Sequence, residues 1–511
     1  MLTRLGAPFR LLSIARTLAR HDALAPLEEL GIAPLPVTLA RMLSRRRAEG
    51  RPGQKLARAL TELGPAFIKL GQFLSTRSDL LGEQVAADLS DLQDRLKPFP
   101  GAEAKAIVAE ELGAPLEALF RDFDETPVSA ASIAQVHMAV TGEGEEVAVK
   151  VLRPGIEAAF KRDLDLLWGL AEVVETAQPA LRRLKPVQAV GLFAEQTLLE
   201  MDLRMEAAAA SELAQNFAGD PDYRLPEVDW QRTSRRVLTL GRLSGIPIDD
   251  RDALAAAGHD LQEVLRKAAT IFFLQVFRDG LFHGDQHPGN MFVDTRGNIG
   301  AVDFGIMGRL DMKTRSYLAD MMIALLARDY RRLAEVQVEV GFLPDSQSLD
   351  GFAQALRAVC EPIFGRPLNE ISFARLLGQL FRLSERFALE VQPQLLLLQK
   401  NMVMAEGISR RLMPELNIWT LAQPLIEQWV IEHRGPEARL RDTTQGLLQV
   451  AERLPALIKN LDNATEDLAE GGLRLHPDSA KALAGRNRAA AWHIGGLWAA
   501  VAALLLVLLL D

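Results

Sequence analysis

Three polar residues with a distinctive spacing lie in the stretch Leu281–Gly308, LFHGDQHPGNMFVDTRGNIGAVDFGIMG. Asn290 follows Asp285 by five positions, and Asp303 follows Asn290 by thirteen, at the head of a DFG tripeptide. Phosphoryl transfer from ATP uses one carboxylate to orient or deprotonate the acceptor, and an Asn and an Asp to hold Mg²⁺. Protein kinases place these groups in H-R-D-x-x-x-x-N and D-F-G, and HGDQHPGN keeps the His-x-Asp pattern and the Asp-to-Asn spacing. The spacing predicts a magnesium–ATP site, with Asp285 as the catalytic candidate and Asn290 and Asp303 as metal ligands.

Two other interpretations compete for the same stretch. A metal site could use His283, Asp285 and His287, but ligands at every second residue of a tight loop seldom converge. A plain polar loop explains neither the spacing nor the hairpin that MFVD and IGAV form around the turn TRGN. Because that hairpin returns the chain from Asn290 to Asp303, the kinase-like site is favoured.

A lysine upstream supports the kinase-like site. Lys150 lies in EVAVKVLRPG, a strand-like run with the V-A-x-K pattern that positions a Lys on the α- and β-phosphates. Such a Lys needs a carboxylate partner, and LLEMDLRMEAAAA offers Glu200, Asp202 and Glu206. On one helix Asp202 and Glu206 share a face, while Glu200 points away. We predict that Glu206 is the partner of Lys150.

Two further segments depart from ordinary kinases. No G-x-G-x-x-G precedes Lys150; the corresponding run is VSAASIAQVHMAV, and alanine does not adopt φ > 0 cheaply. In GPAFIKLGQFLSTRSDLL, Lys69, Gln72 and Thr76 fall on one face of an amphipathic helix. Periodicity alone makes that face polar and solvated.

The elements around these residues alternate between β-rich and helical runs. SIAQVHMAV and EVAVKVL read as strands joined by the turn TGEGEE, and helical patterns follow on both sides. The predicted class is α+β, a two-lobe protein-kinase-like fold with an added helical N-terminal extension and a C-terminal transmembrane helix. The predicted segments are a basic amphipathic helical extension (1–60), a helical region (61–125), a smaller lobe (126–245), a mainly helical lobe (246–470), a linker (471–488) and a membrane anchor (489–511).

Composition and charge narrow the class of protein. The chain has 511 residues, 48% of them hydrophobic, and a formal charge of −9, which argues against general nucleic-acid binding. Residues 1–60 hold 11 basic and 4 acidic residues, a balance of +7 that suits an anionic membrane surface or an acidic partner. Cys360 is the single cysteine, so an intrachain disulfide and a cysteine zinc site are excluded and a reducing compartment is indicated.

The C-terminus predicts a membrane span. AWHIGGLWAAVAALLLVLLL, residues 491–510, contains no formal charge, and at about 1.5 Å per residue it matches the roughly 30 Å bilayer core. Lys481, Arg486 and Arg488 precede it and only Asp511 follows it, so the positive-inside rule keeps the bulk of the chain on the cytoplasmic side.

From about Thr61 to Gly308 the chain resembles the UbiB family of atypical kinase-like proteins, which support ubiquinone biosynthesis. The resemblance is carried by ordered motifs: KLGQ (Lys69–Gln72), AASIAQVH (Ala130–His137), VAVKVLRPG (Val147–Gly155), EMDLRMEA (Glu200–Ala207), FHGDQHPGN (Phe282–Asn290) and DFG (Asp303–Gly305). Two positions depart from the family pattern, because Ser129 replaces a more usual Ala and Gly241-Arg242 replaces a Glu followed by an aromatic residue.

The resemblance implies a role for each matching residue. Asn290 and Asp303 would hold Mg²⁺, and Asp285 would stand at the proton-acceptor position. The Lys-x-Gly-Gln helix would pack over the site, with Lys69 reaching Glu200 or Asp202, and would block protein substrates. The implied ATP-binding residues are Val128, Ser129, Ala130, Ala131, Ser132, Ile133, Ala134, Gln135, Val136, Lys150 and Glu206, and the implied occluding residues are Lys69, Gln72, Glu200 and Asp202.

The implied function is that of a membrane-anchored, Mg²⁺-dependent ATPase or atypical kinase required for ubiquinone biosynthesis. It would act on or present polyprenyl quinone intermediates or membrane lipid, alongside other ubiquinone-synthesis enzymes, at a bacterial inner membrane with its catalytic part facing the cytoplasm. Two alternatives stay open: a small-molecule phosphotransferase of the aminoglycoside or choline kinase type, and a pseudokinase scaffold of the quinone-synthesis complex.

Overall fold

A computed structural model gives the structure of the chain. It describes residues 7–23, 49–75, 83–90, 92, 96–177, 185–344, 347–364 and 393–415, together with the single residues 379, 383, 387, 424 and 429. All of these belong to one compact unit, Met1–Trp429. The predicted linker and anchor, residues 471–488 and 489–511, lie outside the described residues.

The described part combines eleven strands with longer helices. The strands are β1 (Phe120–Phe123), β2 (Ser129–Ala130), β3 (Ala134–Thr141), β4 (Glu146–Leu152), β5 (Tyr223–Arg224), β6 (Val237–Gly241), β7 (Ile246–Pro247), β8 (Leu281–His283), β9 (Met291–Val293), β10 (Ile299–Ala301) and β11 (Met307–Arg309). The α-helices are α1 (Ala7–Arg20), α2 (Pro52–Leu63), α3 (Pro65–Ser75), α4 (Glu83–Ser90), α5 (Gly101–Leu112), α6 (Leu116–Leu119), α7 (Ile156–Ala177), α8 (Pro186–Glu200), α9 (Leu203–Asn216), α10 (Arg251–Ala256), α11 (Leu261–Phe273), α12 (Met312–Leu326), α13 (Tyr330–Glu339), α14 (Leu349–Phe364) and α15 (Pro393–Leu412). Short 3₁₀ turns occur at Trp230–Arg232 and Pro288–Asn290.

The smaller lobe is built on an antiparallel sheet in the order β1-β3-β4-β6, with β2 paired to β3. The predicted hairpin forms as β3 and β4, and its turn is closed by Gly144 at φ +95°. Residues of β4 alternate between faces, so Val147, Val149 and Val151 enter a core shared with α5. The intervening Lys150 therefore points to the opposite face of the sheet.

Strand β1 falls inside the region that the sequence assigned to helices. Phe120 and Phe123 are both buried in the core beneath α5, and the segment pairs with β3 across an irregularity in register. Only four residues long, it gives too short an apolar pattern to distinguish a strand from a helix. Tertiary packing of the two Phe rings selects the strand.

The larger lobe begins with the apolar helix that the sequence placed before Gly280. Its first part is α11, capped by Asp260, and Leu274–Asp279 continue it as a π-helical turn. Gly280 ends the turn at φ +68°, where a Cβ would lie 2.4 Å from the carbonyl oxygen of Leu310. The chain then enters β8, which pairs with β11, while β9 and β10 form the second predicted hairpin.

Several basic residues of the N-terminal extension are used inside the molecule. Arg10 on α1 donates from Nε and Nη2 to the carboxylate of Asp163 on α7, each at 3.0 Å. Lys55 on α2 lies 2.7 Å from Asp22. Part of the positive charge of residues 1–60 is therefore neutralised within the chain, and the predicted anionic surface or acidic partner stays a prediction.

The part of the chain that the structure describes contains no helix with the length and apolar character needed to cross a membrane.

Candidate active site

Two strand pairs bring the predicted catalytic residues together. In the hairpin, Ala301 of β10 pairs with Met291 of β9, and Val302 N donates to the carbonyl oxygen of Asn290 at 3.0 Å. In the other pair, Met307 of β11 lies opposite His283 of β8. His283 links the two pairs, because its ring accepts from Asp285 N and donates to the carbonyl oxygen of Val302, the residue before Asp303. The structure therefore brings the segments that carry Asp285, Asn290 and Asp303 together.

Lys150 joins the two lobes at the centre of the site. Its Nζ lies 2.9 Å from both carboxylate oxygens of Glu206 and 2.9 Å from Oδ1 of Asp303. The predicted Lys150–Glu206 pair is therefore present, and its Glu206 side chain is only 6% exposed. Asp303 has φ +63°, a left-handed conformation uncommon outside glycine, and this turn directs its carboxylate at Lys150.

The charges of this cluster stabilise one another. Attraction to the Lys150 ammonium lowers the pKa of Asp303 well below its usual range. Burial alone would lower the pKa of Lys150, but Asp303 and Glu206 raise it above its ordinary value. At neutral pH the site therefore presents an ammonium and an ionised Asp303.

The segment carrying Glu200, Asp202 and Glu206 is two helices, not the single helix from which the face argument was made. Helix α8 ends at Glu200 and α9 begins after Asp202, which caps it by accepting from Arg204 N at 3.2 Å. Asp202 also pairs with the Arg204 side chain at 2.6 Å. The break arises because an Asp side chain satisfies a free N–H of the new helix, and it points Glu200 and Glu206 at different lysines.

Lys69 on α3 lies 2.8 Å from Glu200, and each side chain is 12% exposed. Of the two partners that the family resemblance offered, the structure selects Glu200, since Asp202 is engaged by Arg204. The positive charge of Lys69 also contributes, after Lys150, to lowering the pKa of Asp303. The face of α3 that periodicity made solvated is therefore turned toward the site at Lys69, while Gln72 is half-buried one turn later.

The Ala-rich loop is a tight turn between β2 and β3. Ala131 N donates to the carbonyl oxygen of Ala134 at 2.8 Å, and Arg153 donates from Nε and Nη2 to the carbonyl oxygen of Ala131. The predicted ATP-binding set divides by exposure. The exposed or half-buried members are Val128, Ser129, Ala130, Ala131 and Val136, and the buried ones are Ser132, Ile133, Ala134 and Gln135.

Gln135 has a structural task. Its amide oxygen accepts from Phe99 N at 3.1 Å, and its amide nitrogen donates to the carbonyl oxygen of Phe99 at 3.2 Å. The side chain therefore ties β3 to the segment before α5. The half-buried residues of the turn itself are the small Ala130 and Ala131.

The two histidines of HGDQHPGN are committed to the loop itself. Nδ1 of buried His283 accepts from Asp285 N at 3.1 Å, so its Nε2 carries the proton that it donates to Val302 O. Burial lowers the pKa of His283, which keeps the ring neutral. Nδ1 of His287 accepts from Gly289 N. No group of three or more His, Cys, Asp or Glu in the described residues could hold a metal ion, which disfavours the histidine metal site.

Lys400 and Asn401 on α15 are site residues that sequence reasoning missed. Lys400 Nζ lies 2.7 Å from Oδ1 of Asp285. Buried Asn401 contacts the backbone on either side of Asp285. The two segments are separated by 115 positions, and no local pattern around QKN marks α15 as part of the site.

The donor set suits Mg²⁺ and a triphosphate. Asp303 is ionised and its side chain is 52% exposed. Asn290 Nδ2 donates to the carbonyl oxygen of Asp285 at 3.1 Å, so the amide oxygen is the atom that could bind a metal ion. Mg²⁺ prefers oxygen ligands and is commonly held by one or two carboxylates together with substrate phosphates. Two oxygen-bearing side chains beside an ammonium fit that mode of binding.

A two-lobe fold with this lysine, glutamate, aspartate and asparagine arrangement defines a kinase-like domain, which implies ATP binding. Residues 91–337 match the ABC1 atypical kinase-like domain, and residues 356–417 match the UbiB helical domain. The chain belongs to the UbiB family.

Several curated relatives extend over most of the chain. The probable protein kinase UbiB of Marinobacter nauticus is 41% identical over 481 residues, covering 92% of this chain and 87% of the relative. The probable protein kinase UbiB of Azotobacter vinelandii is 44% identical over 433 residues, covering 84% and 80%. A solved structure of a Mycobacterium tuberculosis protein with erythromycin is 24% identical, with a TM-score of 0.46, and covers 70% of this chain and 94% of that one.

Proposed function

We propose that the protein is a Mg²⁺-dependent ATPase or atypical kinase that serves ubiquinone biosynthesis at a bacterial inner membrane. The observation that carries the proposal is the bridge that Lys150 Nζ makes to Glu206 and Asp303, each at 2.9 Å. A pseudokinase scaffold would not need an ammonium group in contact with a carboxylate that can bind a metal ion. The intact set therefore favours turnover.

Each residue of the site has a chemical task under this proposal. Lys150, fixed by Glu206, binds the α- and β-phosphates. Asn290 and Asp303 would hold Mg²⁺, which supplies neutralisation of the phosphate charge when bound. Asp285 accepts the proton of the attacking hydroxyl or water. The loop around Ala131 would bind the phosphates, with less backbone freedom than a glycine loop.

The Lys69–Glu200 pair argues for a small acceptor. Both side chains are nearly buried, and the Lys69 charge acts on Asp303. Helix α3 therefore places a positive charge within electrostatic range of the carboxylate that is proposed to hold Mg²⁺. We infer that the acceptor is water or a small molecule, since a folded protein segment would have to displace this ion pair.

The membrane and quinone parts of the proposal have separate support. Curated relatives at 41–44% identity carry the UbiB name, and residues 491–510 form an uncharged 20-residue stretch. We propose that this stretch anchors the protein with its kinase-like part facing the cytoplasm. The substrates or cargo would then be polyprenyl quinone intermediates or membrane lipid, delivered to other ubiquinone-synthesis enzymes.

Exchange of Asp303 for Asn tests the site. Asp303→Asn removes the ionised metal ligand, so we expect Mg²⁺-dependent ATP turnover by the purified full chain in detergent to fall by about 100-fold or more. Asp350→Asn is the matched control, because Asp350 is 79% exposed on α14 and pairs with Arg331 on the surface. Equal turnover in wild type and Asp303→Asn would remove the assignment.

A complementation experiment tests the pathway. We expect a strain lacking the gene to lose ubiquinone and accumulate an early polyprenyl intermediate, and to recover with the wild-type gene or with Asp350→Asn but not with Asp303→Asn. Normal ubiquinone in the deletion strain would overturn the pathway assignment while leaving the ATP site untouched.

A further inference from the structure

Helix α15 clamps the catalytic loop at three points around Asp285. Asn401 is fully buried; its Nδ2 donates to the carbonyl oxygen of His283 at 2.5 Å, and its Oδ1 accepts from Gln286 N at 3.2 Å. The preceding residue, Lys400, places Nζ 2.7 Å from Oδ1 of Asp285. Two consecutive residues of one helix thus hold the backbone on both sides of Asp285 and its carboxylate as well.

Helix α15, which carries Lys400 and Asn401, is anchored in the core of the molecule. Ile408 and Leu412, two and three turns along α15, are buried in the main core of the molecule. The hydrogen bonds of Asn401 to the loop backbone fix how α15 is rotated about its axis. They therefore also fix the position of the Lys400 Cα, from which the side chain extends. The Lys400–Asp285 pair therefore differs from an ordinary surface ion pair, whose two long side chains must be ordered by the pair itself.

In the part of the chain that the structure describes, Lys400 is the cation paired with Asp285. Lys150 is shared between Glu206 and Asp303, and Lys69 is paired with Glu200. The negative charge of a bound triphosphate would repel the carboxylate of Asp285. The Lys400 ammonium is the positive group that touches it and offsets this repulsion.

We propose that Lys400 is a positioning residue for Asp285: it fixes the orientation of the carboxylate and compensates its charge while Asp285 accepts a proton from the acceptor. This inference rests on the proposed function, because it needs Asp285 to act in phosphoryl transfer. It assigns to the helical segment of residues 356–417 a direct part in the chemistry of the kinase-like domain.

Steady-state ATP turnover by the full chain in detergent tests the proposal. Lys400→Met should lower kcat by about 10- to 100-fold, as a small misplacement of a catalytic group does, with the KM for MgATP within about 2-fold of wild type because the Lys150 pocket is unchanged. Lys400→Arg should recover most of the loss. The matched control is Lys105→Met, which breaks an ion pair of 2.6 Å with Glu125 on the smaller lobe and should leave kcat unchanged.

A double-mutant cycle separates positioning from other roles. If Lys400 acts through Asp285, Lys400→Met should cost less than about 3-fold in an Asp285→Asn background, since effects of residues that act as a unit are not additive. Multiplicative losses, or a Lys400→Met variant with wild-type kcat, would overturn the inference. Wild-type protein without Mg²⁺-dependent turnover would overturn the proposed function and this inference together, whereas turnover lost in Asp303→Asn but retained in Lys400→Met overturns the inference alone.

Discussion

Lys150 is the residue on which the charge balance of the site depends. It is 17% exposed and compensates two carboxylates, of which Glu206 is 6% exposed. A buried carboxylate without its partner is strongly destabilising, because desolvation is no longer offset by attraction. The same lysine therefore serves the stability of the fold and, under the proposed function, binds phosphate.

We expect Lys150→Met to abolish ATP turnover and to lower the free energy of unfolding at neutral pH by about 3 kcal/mol. The pKa of Asp303 is held below its ordinary value by Lys150, so its contribution to stability is present above the ordinary Asp pKa and is lost as pH falls. The difference in unfolding free energy between wild type and Lys150→Met should therefore shrink on acidification below about pH 4.

Denaturant unfolding of both proteins across this pH range checks the prediction. The double variant Lys150→Met with Glu206→Gln is the control, since it removes the more buried of the two carboxylates left unpaired and should regain part of the stability without regaining turnover. A Lys150→Met variant as stable as wild type at pH 7 would show that the cluster is not coupled as described.

Individual residues were predictable from sequence where their motif is local. Lys150 follows from V-A-x-K, and Asn290 and Asp303 follow from their spacing to Asp285 within a predicted hairpin. Lys400 was not predictable, because its link to Asp285 exists only through the packing of α15. A single sequence carries no signal for a contact between positions so far apart.

At the scale of elements, the β8–β11 pair holds the catalytic loop to the DFG segment. Gly308 lies opposite Phe282 in this pair, and a Cβ on Gly308 would be 2.1 Å from the Phe282 ring. Gly284 is also confined, though less tightly, with a would-be Cβ 2.8 Å from Ile306. The aromatic ring covers the glycine because no other residue leaves it room.

Gly308→Ala should separate β8 from β11 and thereby move Asp285 relative to Asp303. We expect a loss of stability of about 1–3 kcal/mol, typical of overpacking, and a fall in turnover that exceeds the change in nucleotide affinity. Gly191→Ala is the control: it lies in α8 with no atom within 4 Å of its would-be Cβ, so it should be neutral or stabilising by up to about 1 kcal/mol. Thermal unfolding and ATP turnover of both variants test this prediction. If Gly308→Ala matched Gly191→Ala in stability and in turnover, the role assigned to the strand pair would be contradicted.

Elements with strong periodicity were predictable, and short or capped ones were not. The β3–β4 hairpin, the β9–β10 hairpin and the helix ending at Gly280 appear where pattern and turn residues place them. Strand β1 and the break between α8 and α9 do not follow from pattern, since one depends on packing beneath α5 and the other on a single capping side chain, Asp202.

At the scale of the whole molecule, two segments are candidates for membrane attachment: the basic residues 1–60 and the uncharged residues 491–510. Part of the positive charge of residues 1–60 is neutralised by intramolecular ion pairs, such as Arg10 with Asp163 and Lys55 with Asp22. Each such pair reduces the charge available to an anionic surface. The uncharged stretch at residues 491–510 has the length for a span.

Removal of residues 489–511 should therefore release the protein from the membrane. In cells that express the shortened chain, we expect it in the soluble fraction after ultracentrifugation, whereas the full chain stays in the pellet through washes with high salt and with carbonate. ATP turnover of the shortened chain should match that of the full chain in detergent, since every residue assigned to the site lies before position 402. Retention of the shortened chain in a pellet that high salt then releases would move the attachment to the basic residues of 1–60, because electrostatic binding to anionic lipid is screened by salt whereas a hydrophobic span is not.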